Sequence, residues 1–405
     1  MTTRLLKFIL FSALFCSGSI VASGRDPIES GTFFKIRGSL NKSGNLFTSS
    51  QKGNVAFLGG SITEMDGWRE MVCNYLAIRF PDVKMNILNA AIPSLGSLAH
   101  TFRFQQDIAS KMIPDLLFVE AAVNDHYNGY SDTQQLRSME GIVRQAKTLN
   151  PDMDIVFIYF ADPDKNADYE KGITPNVILN HEKVAAHYQI SSINLAQEVA
   201  ERIKAGEFSW KEEMVDLHPS PFGQKLYFSS IKQFLEQLWT NDTDRFSKIG
   251  NVDHAALDKY AYMHGNYGSL SKARYRRGFT YDPSYTPMDG YKGRPGFIEV
   301  PMLVADSPGA LLVYKFSGTA IGINIIAGSD AGIIEYSIDN KPYAKIDLFT
   351  QWSSHLHLPW YILLGDELSD RKHLLRIRVA SEHNVRSKGT ACRIVHFLTN
   401  RHKVK

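Results

Sequence analysis

The stretch Asn54-Val55-Ala56-Phe57-Leu58-Gly59-Gly60-Ser61-Ile62-Thr63 decides how the chain is read. A short apolar run of the kind that forms a buried strand ends in two glycines and a serine. Beyond Glu64 the residues up to Arg79 place Trp68, Val72, Tyr75 and Leu76 on one helical stripe. A serine at such a junction sits at the carboxyl edge of a sheet, next to a helix N-terminus, where α/β folds place reactive groups. The glycines before it let the backbone turn tightly and leave the hydroxyl uncrowded. Read alone, the same tripeptide is also an ordinary turn with serine as N-cap.

The surrounding sequence moves the balance. A second apolar run, 115–123, leads into Asn124 and Asp125. A third, 85–91, leads into Pro93-Ser94-Leu95-Gly96-Ser97, and far downstream stands Asp216-Leu217-His218-Pro219-Ser220. Strands are predicted over 54–58, 84–89, 115–121, 154–160 and 191–194. Helices are predicted over 65–79, 98–111, 133–150, 176–188, 196–205 and 222–239, the last with Leu226, Ile231, Phe234, Leu235 and Leu238 on one face. Such alternation implies a parallel sheet with helices on both faces.

These four blocks, in this order, resemble the SGNH (GDSL-like) hydrolase family over residues 52–240. The matches are Gly59-Gly60-Ser61-Ile62-Thr63, Gly96 in its loop, Val123-Asn124-Asp125, and Asp216-x-His218-Pro219. One departure is Gly60, where many members carry Asp. The resemblance implies a three-layer α/β/α, flavodoxin-like domain. It also implies a catalytic set of Ser61, His218 and Asp216, with an oxyanion hole built from the Ser61 and Gly96 N–H groups and the Asn124 amide.

The residue types suit that chemistry. A serine hydroxyl needs a nearby base, and the base an orienting partner. His218 is a suitable base, and a carboxylate two residues earlier can hold the imidazole tautomer. Gly admits a backbone N–H close to a ligand, and Asn is a neutral donor. Thr63 stands where the Gly-x-Ser-x-Gly elbow would need its last glycine, and Asp216 lies only two residues before the histidine; both argue against an α/β-hydrolase. Asp125 reads as holding a loop or helix N-terminus, Glu64, Asp66 and Arg69 as solvated first-turn residues, and His181 and His187 as helix-face residues. His100 and His126 lie near the motif loops without a catalytic assignment.

Outside this core, residues 1–23 read as a secretory signal peptide. Arg4 and Lys7 precede the apolar stretch 8–15, small residues follow, and the run is too short for a membrane span. Cys16 raises lipid attachment, but Phe15 fits a lipobox poorly. The expected location is therefore secreted or periplasmic, with no transmembrane helix in the mature chain. Residues 24–51 form an N-terminal segment.

Residues 241–296 hold seven of the chain's 18 tyrosines, with Arg274, Arg276 and Arg277, and no obvious period. They read as a connection packed between lobes, or as a sugar-stacking surface. From 297 to 400 the period becomes two, with strands expected over 310–316, 320–326, 332–338 and 374–379 and a turn at Asp339-Asn340-Lys341-Pro342. This predicts a smaller antiparallel β-sandwich, jelly-roll-like. Such modules accompany some carbohydrate esterases, where the sandwich often precedes the catalytic domain instead of following it.

A net charge of +3 with interspersed signs gives no case for nucleic acid. Cys73 and Cys392 fall in different predicted domains and read as separate thiols. No zinc spacing is present, although His355 and His357 share a strand face. No cofactor is expected. The reading is a secreted serine esterase removing O-acyl groups, most simply acetyl, from an oligo- or polysaccharide. A lipase, lysophospholipase or thioesterase of the same fold, and an inactive carbohydrate-binding protein, are the alternatives.

Overall fold

The computed structural model describes residues 33–38, 41–240 and 255–401. The signal-peptide stretch, Cys16 and the first part of the predicted connection lie outside these residues. The first domain runs β1 (Phe34–Lys35), α1 (Asn41–Ser49), β2 (Lys52–Leu58), α2 (Ser61–Glu64), α3 (Trp68–Arg79), β3 (Lys84–Asn89), α4 (Ser97–Phe104), β4 (Leu116–Glu120), α5 (Ala122–Tyr127), α6 (Asp132–Leu149), β5 (Asp154–Tyr159), α7 (Pro163–Glu170), α8 (Asn176–His187), β6 (Ser191–Asn194), α9 (Leu195–Lys204) and α10 (Pro221–Thr240). The sheet order is β1-β6-β5-β4-β2-β3, with β2 to β6 parallel and β1 antiparallel at the edge.

The parallel strands therefore have the flavodoxin order, and the direction of winding reverses between β2 and β4. Strands β4 and β5 are buried along their whole length, and the edge strand β3 is not. This is why the former read as continuous apolar runs. The helix predicted over 65–79 starts later, at Trp68, and a separate short helix α2 precedes it. Gly67 takes φ 146°, open only to glycine, and separates α2 from α3; the Glu70 side chain and the Gln224 carbonyl cap the restart, receiving the Gly67 and Trp68 N–H groups. The predicted helix 98–111 continues past α4 as a π-turn over Gln105–Ala109.

The second domain comprises β7 (Gly265–Gly268), β8 (Ala273–Arg277), β9 (Thr280–Tyr285), β10 (Val300–Ala305), β11 (Leu311–Ser317), β12 (Ala320–Ala327), β13 (Ile333–Ile338), β14 (Ala344–Asp347), β15 (Leu358–Gly365), β16 (Lys372–Val379) and β17 (Cys392–Asn400). They form two antiparallel sheets, β15-β12-β17-β10-β9 with β7 beside β17, and β14-β13-β16-β11-β8. Their inner faces meet around Leu312, Tyr314, Ile323, Ile325, Leu375 and Phe397. The Asp339–Asn340 turn links β13 to β14 with both residues at positive φ, as a tight right-twisted hairpin needs.

The stretch read as a connection without period contributes β7, β8 and β9. Its strands are short, with Arg274, Arg276, Arg277 and Tyr281 exposed while Tyr267 packs into the seam, so no simple alternation shows.

The two domains share a third core. Leu95 and the α4 side chains Leu98, Ala99 and Phe102 pack against Tyr262, Phe297, Met302, Tyr361, Val395 and Leu398. Strand β12 is buried on both faces as a result: Ile321, Ile323 and Ile325 fill the sandwich, while Ala320 and Ile326 face the seam. Beside it Arg137 binds Asp258, Asp366 and Glu367, at 2.8, 2.8 and 2.5 Å. Among the described residues no helix is long and apolar enough to cross a membrane.

Candidate active site

Ser61 opens α2 directly after β2, and Asn124 lies in α5 directly after β4, one on each side of the switch point. Gly96 precedes α4, after β3. His218 arrives from the loop that enters α10. Its Nε2 lies 2.8 Å from Ser61 Oγ, across 157 residues of chain. The loop carrying it is braced: the Asp216 and Ser220 N–H groups both donate to the Met214 carbonyl, at 2.9 and 3.1 Å, and Gly223 backs onto Pro219 and Met214. Trp68 fixes the other wall by donating Nε1–H to the Ile62 carbonyl at 3.0 Å.

Asp216 sits on the same loop, exposed to solvent. Its Oδ1 accepts the N–H of Leu217 at 2.5 Å. Among the hydrogen bonds of the described residues, none joins Asp216 to His218. The structure thus brings Ser61 and His218 together and leaves the Asp216 carboxylate turned onto its own backbone.

The three expected oxyanion donors belong to segments in mutual contact. A Cβ built on Gly60 would lie 2.0 Å from Asn124 Nδ2, so the amide occupies the space a side chain at 60 would need. This accounts for glycine at the position where the resemblance expects Asp. A Cβ on Gly96 would lie 2.2 Å from Asp125 Oδ1. Among the described residues the Ser61 N–H, the Gly96 N–H and Asn124 Nδ2 have no protein acceptor. Unpaired donors beside a serine hydroxyl suit a developing negative charge.

Behind them lies a buried polar layer. Asp125, fully buried, accepts the Ser97 N–H at 2.6 Å through Oδ1 and meets His181 Nε2 at 2.9 Å through Oδ2. His181 lies on the buried face of α8 and anchors the carboxylate that holds the Gly96 loop. Glu120 accepts the Gly60 and Val123 N–H groups, and burial pushes its carboxyl up to about 7. His100 is buried, with Nε2 3.1 Å from the Glu120 carbonyl oxygen and Nδ1 beside Arg103; burial holds its imidazole well below the usual range. His126 faces outward to Asp164 at 2.9 Å.

Asp125 was legible as a loop holder. Glu120 gave a signal that was not read: a carboxylate ending an otherwise wholly apolar strand.

The second domain reaches the site. Ser94, at φ 71°, accepts from Asn128 Nδ2 through its carbonyl at 3.0 Å and from Arg294 Nη2 through its hydroxyl oxygen at 3.2 Å. His357 is buried, with Nε2 2.9 Å from Asp289 Oδ1. Among the described residues no group of three or more His, Cys, Asp or Glu could hold a metal ion. A cavity of about 1350 Å³ opens elsewhere on the seam, lined by Gln105, Gln145, Tyr267, Tyr314, Phe316 and His373 among others, and none of the residues around Ser61 lines it. Size alone does not locate the chemistry.

Comparison with known proteins bears on the fold. Residues 57–226 match the GDSL-like Lipase/Acylhydrolase family. A search of curated protein sequences gives no match. Among solved structures, a two-domain esterase (CEX) active on acetylated mannans, co-crystallized with mannopentaose, superposes with a TM-score of 0.76 at 20% identity, covering 93% of this chain and 99% of that one. A second structure of a two-domain esterase (CEX) active on acetylated mannans gives the same score, identity and coverage of this chain, and covers 100% of that one. An acetylxylan esterase from Geobacillus stearothermophilus, as a catalytic mutant, gives 0.40 at 15% identity, over 47% of this chain and 97% of that one. At 20% identity the two-domain likeness is one of fold, and it extends through the sandwich. Residues 57–226 thus match the GDSL-like lipase/acylhydrolase family, which supports a carboxylic ester hydrolase, and this α/β fold is followed by an antiparallel sandwich.

Proposed function

We propose that the protein is an exported serine esterase that removes O-acetyl groups from a polysaccharide, with acetylated mannan as the first candidate. The observation that carries this reading is the 2.8 Å approach of His218 Nε2 to Ser61 Oγ at the switch point of the sheet. In the proposed reaction His218 takes the Ser61 proton as the hydroxyl oxygen attacks the ester carbonyl. The tetrahedral oxyanion receives the Ser61 and Gly96 N–H groups and the Asn124 amide. His218 then returns the proton to the departing sugar oxygen, leaving an acetyl-enzyme. Water, deprotonated by the same imidazole, attacks that ester, and the imidazolium returns the proton to Ser61 Oγ as acetate leaves. Asp216 is the proposed orienting acid, by turning its carboxylate from the Leu217 N–H toward the His218 ring.

Substrate class rests on two supports: the two-domain fold shared with an esterase active on acetylated mannans, and the sandwich residues Arg294 and Gln351 that reach the loops at Ser94 and Tyr127. Export rests on the sequence of residues 1–23. The test is acetate release from acetylated mannan, acetylated xylan and long-chain acyl esters, with Ser61→Ala as control. Acetate from the glycans, abolished in the variant, is expected. A preference for long acyl chains moves the reading to a lipase of the same fold. Undiminished release by Ser61→Ala removes the nucleophile assignment.

A further inference from the structure

Beneath the proposed oxyanion hole lies a carboxyl group that the reaction above does not use. Glu120 is the last residue of β4 and is 2% exposed. Its Oε2 accepts the N–H of Gly60 at 3.4 Å and its Oε1 accepts the N–H of Val123 at 3.2 Å. Gly60 immediately precedes Ser61, and Val123 immediately precedes Asn124. One side chain thus holds the peptide units that aim two of the three oxyanion donors. The segments it joins touch each other, since Asn124 Nδ2 lies against Gly60.

We propose that Glu120 is a positioning residue for the hydrolysis. Its ionised carboxylate, accepting from Gly60 and Val123 together, fixes the spacing between the Ser61 N–H and the Asn124 amide; protonation of the carboxylate loosens that spacing. This rests on the reading of Ser61 as nucleophile and Asn124 as oxyanion donor.

The chemistry follows from the acceptor count. An ionised carboxylate offers both oxygens as acceptors, and here each faces an N–H. A proton on either oxygen points a second donor toward a donor, so one of the two contacts weakens. A buried carboxylate is costly unless it is hydrogen-bonded and compensated. Lys165 of α7 lies near enough to favour the charged form and is itself paired with the buried Asp162. Asp125 of α5 opposes it. His100 of α4 binds the Glu120 main chain and is kept neutral by burial, so it adds no positive charge. Tyr227 of α10, whose Oη accepts the Ala161 N–H at 3.2 Å, completes the titratable groups around the carboxyl. With its carboxyl pushed up to about 7, the group changes charge in the neutral range: ionised above, protonated below.

The test is Glu120→Gln in the full-length enzyme, with p-nitrophenyl acetate as probe. Glutamine keeps the shape but offers one acceptor and one donor. The expected result is a kcat about 10- to 100-fold lower with KM within about twofold, the size of effect that a displaced donor produces. In an Asn124→Ala background the same change should cost under about threefold, because the donor it aims is gone. The wild-type kcat/KM profile should carry a drop near pH 7 on its acid side, as Glu120 takes up its proton, that Glu120→Gln lacks.

An unchanged kcat, or full additivity with Asn124→Ala, overturns the inference. If the glutamine variant does not fold, the wild-type profile decides alone, and a profile without a drop near pH 7 overturns it. Failure of the underlying reading shows separately, as acetate release that survives Ser61→Ala.

Discussion

Gly60→Ala puts the geometry of the site to a direct test. The backbone there, φ −92° and ψ −151°, is open to alanine, so the change introduces no backbone strain. The added methyl group would lie 2.0 Å from Asn124 Nδ2, where ordinary contact begins at 3.4 Å. The amide must therefore retreat by about 1.4 Å, too far to keep a hydrogen bond to the same oxyanion. Losing one such donor costs about 10²- to 10³-fold in kcat, or roughly 3–4 kcal/mol. Stability should change by under about 1 kcal/mol, because the amide is only half-buried and can swing toward solvent.

The assay is initial-rate hydrolysis of p-nitrophenyl acetate by the wild type, Gly60→Ala, Asn124→Ala and the double variant, with urea unfolding of each. The two single variants should fall to similar rates, and the double should be no worse than either. The family resemblance alone expects a side chain at 60 to be tolerated, since many members carry Asp there. A Gly60→Ala enzyme with near wild-type kcat, or losses that multiply in the double variant, would refute the geometric argument.

Further outcomes are expected elsewhere. Asp216→Asn should lower kcat by about 10²- to 10⁴-fold if the carboxylate turns to the imidazole during turnover, and a loss under about threefold would remove it from the mechanism. Phe102→Ala empties a fully buried site in the seam and should cost about 3–5 kcal/mol by urea unfolding. Cys392 is fully buried, its thiol pushed up to about 12, and Cys73 is pushed up to about 11; native protein should react with a thiol reagent only slowly at pH 8, and two further thiols should titrate in denaturant.

Glu120 also sets a pH term in stability. Its folded value, about 7, lies above the ordinary 4.5, so the folded state holds the extra proton. That contribution is complete below about pH 4.5 and is lost as pH rises through 7, on the order of 3 kcal/mol. Thermal melts of Glu120→Gln across that window should be correspondingly flatter than those of the wild type.

Much of the α/β domain was legible because its strands are buried on both faces. That holds for the runs 54–58, 115–121 and 154–160, which announce themselves by apolar content; the edge strand Lys84–Asn89 is largely unburied. Helix α7 escaped because Pro163-Asp164-Lys165-Asn166 is nearly all polar; it is specified instead by the Asp162 cap, which receives the Lys165 N–H at 2.9 Å. Asn124 was placed after a strand, and it lies there, but within a short helix whose first turn is set by Glu120. The roles of Glu120 and His181 depend on partners 56 to 60 residues away, Gly60 and Asp125. No local period carries that information. Strands β7 to β9 were hidden for a related reason: they are stabilised by pairing with β10, β11 and β17 rather than by their own composition.

Helix α4 begins at the glycine that supplies a proposed oxyanion donor, and its apolar side chains are the floor on which the sandwich rests. An appended module joined by a linker can be cut away or exchanged with little effect on its neighbour. Here excision at residue 255 would strip Leu98, Ala99 and Phe102 of their cover and leave a sticky apolar face beside the catalytic loop. The sandwich is thus less an accessory than a missing wall of the first domain. The two halves should melt as one cooperative unit, and a graft of either onto a foreign partner would have to carry its side of the seam with it.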